Sequence, residues 1–76
     1  MPYSQQLVDA ISRALKDLQV TGYTIDVYRA HALTDWHAIL RAQDGDIVRL
    51  HFTLDDPPVW AHVVADAKRQ IQAQVH

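Results

Sequence analysis

Between Trp36 and Leu54 the chain alternates apolar and polar residues twice, with an Asp-Gly pair between the two runs. Trp36, Ala38, Leu40 and Ala42 alternate with His37, Ile39, Arg41 and Gln43, and Val48, Leu50, Phe52 and Leu54 alternate with Ile47, Arg49, His51 and Thr53. A period of two is what a strand with one buried face produces, so the stretch reads as a β-hairpin. A two-residue Asp44-Gly45 turn would set Arg41 opposite Val48 and His37 opposite Phe52, mixing the two sets. A three-residue loop, Gln43 to Gly45, places Gly45 at the left-handed position of a type I turn with a bulge. It then pairs Leu40 with Val48, Ala38 with Leu50 and Trp36 with Phe52, and on the other side Ile39 with Arg49 and His37 with His51. Moving the loop to Asp44–Asp46 would oppose Arg41 to Arg49, a like-charge pair. The Gln43–Gly45 loop is therefore the expected one.

The flanking segments supply what this hairpin packs against. Ser4 through Leu18 repeats apolar residues at helical spacing, Leu7, Val8, Ile11, Ala14, Leu15 and Leu18, with Ser4 as the expected N-cap and Gly22 at the exit. Tyr23 to Ala30 alternates as a strand, and the short His31–Asp35 connection makes it an antiparallel neighbour of Trp36–Gln43. Asp55-Asp56-Pro57-Pro58 reads as a capped helix start, Asp at the cap and Pro in the first turn. Trp60, Val63, Val64, Ala67 and Ile71 form the second apolar stripe, with Phe52 and Trp60 expected at the centre of the core. His62 and Asp66, four residues apart, are placed to pair along that helix. The sequence thus predicts a single α+β domain over residues 1–76, in the order α-β-β-β-α. Its three-stranded antiparallel sheet has the second strand in the centre and both helices on one face.

Composition narrows the chemistry. With 76 residues, 49% of them hydrophobic, the chain has room for one modest core. Cysteine is absent, which excludes disulfides, thiolate metal sites and cysteine nucleophiles. No apolar run approaches the ~20 residues that span a bilayer, and MPYSQQ lacks the profile of a signal peptide, so a cytoplasmic, membrane-free protein is expected. A net charge of −2 gives no general attraction for nucleic acid. Ser4 and Ser12 lie in or at the first helix, and Gly22 and Gly45 cannot form a phosphate-cradling loop. The chain therefore reads as no enzyme and as needing no cofactor.

Both helices on one face leave the other face uncovered. It should carry Tyr28, His37, Ile39, Arg41, Ile47, Arg49 and His51, apolar area ringed by Arg and His, a mixture found in protein interfaces. Those seven residues are the candidate binding set. His37 and His51 also form a pair that could hold a divalent metal with Asp26 or His31 as a third ligand. Two ligands alone make a weak site, and no metal is expected. Another protein is the expected partner. A homodimer has two routes: Tyr28, Ile39 and Ile47 of the face, or the edge strands Tyr23–Ala30 and Ile47–Leu54.

The α-β-β-β-α order resembles that of double-stranded-RNA-binding domains over the whole chain. Such a resemblance is one of topology and implies a nucleic-acid-binding module without carrying over any functional residue; on this chain's own open face Arg41, Arg49, His37, His51 and Tyr28 are the residues such a module would use. Those domains place a lysine cluster at the start of the second helix, where this chain has Asp55, Asp56 and two prolines. In size, acidity and lack of motifs the chain also resembles small phage-encoded inhibitors of bacterial defence, such as anti-CRISPR proteins. That likeness implies an inhibitor, adaptor or small subunit acting by protein binding.

Overall fold

The computed structural model describes residues 3–30 and 34–75. Its elements run α1 (Ser4–Asp17), β1 (Tyr23–Arg29), β2 (Asp35–Ala42), β3 (Ile47–Thr53) and α2 (Trp60–Gln74). The strands form one antiparallel sheet in the order β1-β2-β3, and the expected α+β class and α-β-β-β-α order hold.

The hairpin register is the one the alternation dictates. Leu40 pairs with Val48, Ala38 with Leu50, Trp36 with Phe52 and His37 with His51. Gly45 takes φ +96°, its amide donates to the Ala42 carbonyl at 3.1 Å, and the Asp46 amide donates to the Asp44 side chain at 3.0 Å. The turn thus uses Gly where the chain must pass through the left-handed region, and Asp44 to satisfy the amide just after it.

The apolar faces of β2 and β3 meet the stripes of both helices in one cluster. Leu7, Ile11, Leu40, Leu50 and Ile71 are its largest fully buried side chains. Burial of each contributes about 1.5–3 kcal/mol. α1 lies against β1 and α2, and α2 lies against β3. Trp60 departs from its expected central place. It is only half-buried at the rim, its ring edge-to-face with Tyr3 at 5.9 Å.

Both helix starts differ from the sequence reading. Ser4 is already inside α1, and the cap position is Tyr3, with no side-chain cap. α2 begins at Trp60 after Val59, again without a side-chain cap, so Asp55 and Asp56 are not its caps. Asp56 instead accepts the Tyr3 hydroxyl, and the Asp56–Pro57 bond is cis. Capping proposes a partner within one turn, whereas Asp56 found one on the other helix's approach. At the exit of α1 it is Gln19, at φ +58°, that takes the left-handed position, ahead of Gly22. The Val20 amide reaches the Leu15 carbonyl and the Gln19 amide the Lys16 carbonyl, a Schellman closure of the helix end.

Candidate functional site

Neither helix covers the second face of the sheet, and the pairing fixes its map in four rows. Thr24, Arg41 and Ile47 form the first, and Asp26, Ile39 and Arg49 the second. Tyr28, His37 and His51 form the third, with Asp35 and Thr53 ending the fourth. All seven candidate residues therefore share this face. Tyr28 and Ile47 are about half exposed, at 48% and 50%. Tyr28 on β1, Ile39 on β2 and Ile47 on β3 follow one apolar diagonal of this face.

A second line crosses it at Tyr28. The Tyr28 ring stacks on His37 with centroids 5.3 Å apart and planes 17° from parallel, and His37 meets His51 at 4.9 Å. His51 Nε2 ends 3.6 Å from Asp35 Oδ1. Three rings on three strands thus pack side by side across the face. Arg41 is committed to an ion pair with Asp26, across the β1–β2 pairing. Arg49, on the same face, sits opposite Ile39.

Among the described residues no three His, Asp or Glu side chains converge on a point, and Asp26 is taken up by Arg41. His31, the other third ligand considered, lies outside the described residues. His62 and Asp66 do not pair as the helix spacing suggested. Asp66 forms an ion pair with Arg69 and accepts from Gln70 at 3.1 Å.

Sequence reasoning missed the residues that finish one side of this surface. The alternation of ladder bonds turns the backbone groups of Arg49 and His51 away from β2, towards the outer edge of the sheet. Two glutamine side chains of α2 meet them there. The Arg49 amide donates to Gln74 Oε1 at 3.1 Å and its carbonyl accepts from Gln74 Nε2 at 2.7 Å. The His51 amide donates to Gln70 Oε1 at 2.9 Å and its carbonyl accepts from Gln70 Nε2 at 2.7 Å. Each carboxamide thus replaces the peptide group of a missing fourth strand. The spacings match: four helical residues rise ~6.0 Å, and two strand residues advance ~6.6 Å. Strand β3, expected as an open edge for pairing with another chain, is closed at its middle. The one signal in the sequence was the Gln70/Gln74 spacing, which also suits an ordinary solvated helix face.

No helix among the described residues is long and apolar enough to cross a membrane. Comparison with protein-family models, curated proteins and solved structures finds no match for this chain.

Proposed function

We propose that the chain is a non-catalytic protein-binding module, an inhibitor, adaptor or small subunit, that engages another protein through its open sheet face. The observation that carries this reading is the crossing of two lines at Tyr28. One is the apolar diagonal Tyr28–Ile39–Ile47 and the other the ring stack Tyr28–His37–His51. Mutually packed rings lose little rotamer freedom on binding, which favours a rigid interface. Arg49 and the Arg41–Asp26 pair supply a polar rim. The likeness in size and charge to phage-encoded inhibitors of bacterial defence suits such a role. Nucleic-acid binding is the weaker reading, because Asp26 engages Arg41 and Asp35 stands beside His51, where phosphates would have to come.

The test compares proteins retained from host extract by the immobilised wild type and by Tyr28→Ala and Ile47→Asp. A partner held by the wild type should lose about 2 kcal/mol or more of affinity in Tyr28→Ala. Binding by both variants at wild-type strength would remove the face from consideration. The same complex measured across a salt series separates the two classes. Phosphate contacts make affinity fall steeply with ionic strength, and a partly apolar protein contact changes far less.

A further inference from the structure

The opposite edge of the sheet, β1, lacks what closes β3. Its even-numbered residues bond to β2, so the backbone groups of Tyr23, Ile25, Val27 and Arg29 point outward. Among the described residues nothing bonds to them. The same strand is also unfinished on its helix side. Tyr23, Ile25 and Val27 are half-buried, whereas Ala38, Leu40, Val48, Leu50 and Phe52 are no more than 3% exposed. Above this edge α1 presents the ridge Val8, Ser12 and Lys16, charged only at its C-terminal end. Asp17 reaches Lys68 of α2, and Val8 and Ser12 lie about half a turn round the helix from Asp17.

From these features we propose that β1 is a strand-addition surface whose occupant is β1 of a second copy of this chain. The pairing is antiparallel about a two-fold axis at Ile25. It rests on the edge and not on the open face, so it stands or falls separately from the proposed function. Only odd-numbered residues offer free backbone groups, which leaves a few registers. Centring on Asp26 would oppose two carboxylates directly, a destabilising arrangement. Centring on Val27 would set Arg29 against Ile25 of the other copy. Centring on Ile25 sets Ile25 against its own counterpart and Tyr23 against Val27 on the helix side. On the open side Thr24 then faces Asp26, hydroxyl to carboxylate, with no like charges opposed. An isologous interface requires that kind of self-complementarity. The product is a continuous six-stranded sheet that carries two copies of the open face side by side.

Sedimentation equilibrium of the wild type, Thr24→Asp and Ile47→Asp tests the interface. Thr24 is exposed, so Thr24→Asp costs the monomer little beyond the long 3.4 Å bond from its hydroxyl to the Arg41 carbonyl, while placing a carboxylate against Asp26 of the other copy. A wild-type dimer should weaken about tenfold in Thr24→Asp and be unchanged in Ile47→Asp. A monomeric wild type at high micromolar concentration overturns the proposal. So does a Thr24→Asp variant that dimerises as the wild type does. Because the chain has no cysteine, single-cysteine variants read the register on a non-reducing gel. Ile25→Cys should cross-link under mild oxidation ahead of Val27→Cys, since a two-fold at residue 25 brings the paired Cα atoms to ~5.5 Å, within disulfide reach. The reverse order overturns the Ile25-centred register.

Discussion

Both helices cover the same face of the same sheet, but they are attached to it by different physics. α1 is held by apolar burial, with Leu7, Ala10, Ile11, Ala14 and Leu15 all in the core. α2 buries only Val63, Ala67 and Ile71. It supplements them with the Gln70 and Gln74 amides, which bond β3 through its backbone. The difference teaches that a small domain can use one helix for two tasks, filling the core and completing a sheet edge. The helix without edge-facing amides leaves its edge open.

Apolar truncation should give the largest effect and treat the two helices alike. Ile11→Ala and Ile71→Ala remove side chains exposed by no more than 1% and should each cost about 2–5 kcal/mol in urea unfolding. A loss under about 1 kcal/mol for Ile71→Ala would mean that α2 holds mainly by its polar contacts, and the contrast would sharpen. Polar truncation should separate the helices. Gln70→Ala and Gln74→Ala each remove two hydrogen bonds to an edge that water can rehydrate, so each should cost about 1 kcal/mol. On α1 the exposed Gln6→Ala should stay within about half a kcal/mol of wild type. Equal effects at Gln6 and Gln74 would dissolve the distinction.

The smallest effect concerns the ion pair that, among the described residues, ties the two helices together, Lys68 to Asp17 at 2.9 Å. The hydrogen bond from Lys68 holds the Asp17 carboxyl below its ordinary value. The ionised form therefore favours the folded state. Its contribution is complete above the ordinary carboxylate pKa and is lost as pH falls through the lower folded value. At Tyr3 the sign is reversed. The hydrogen bond to Asp56 raises the phenol, so that contribution is complete below pH ~10 and is lost as pH rises through the folded value. Asp17→Asn should flatten the acidic limb of a stability–pH curve and leave the alkaline limb alone. An unchanged acidic limb would show that the pair contributes nothing.

What could be read from the sequence was whatever repeats. The period of two fixed the hairpin phase, and with charge opposition it fixed the loop to Gln43–Gly45 and hence the membership of the open face. The apolar stripes placed both helices on the other side. The misses are residues whose partner lies far along the chain. Asp56 has the composition of a cap, and only the fold brings Tyr3 to it. Gln70 and Gln74 look like solvent-facing residues until β3 is set beside them. Trp60 keeps the helical phase yet falls at the rim, because periodicity gives a direction and not a depth. The ring stack was half legible: the hairpin register predicted the His37–His51 neighbours, while the overlap of Tyr28 with His37 depends on side-chain rotamers.

The glutamine clamp also sets a clock. Amide protons of Val48, Leu50 and Phe52 are held by the ladder with β2 and exchange with solvent only when the sheet opens. Those of Arg49 and His51 hang from side chains in the last two turns of α2, so fraying of that helix end releases them while every strand stays paired. How often the β3 edge becomes reachable by another chain is then decided by the opening rate of a few residues near Gln74. A substitution that lengthens or shortens the lifetime of that helix end would change the rate of edge-to-edge aggregation without altering the sheet itself.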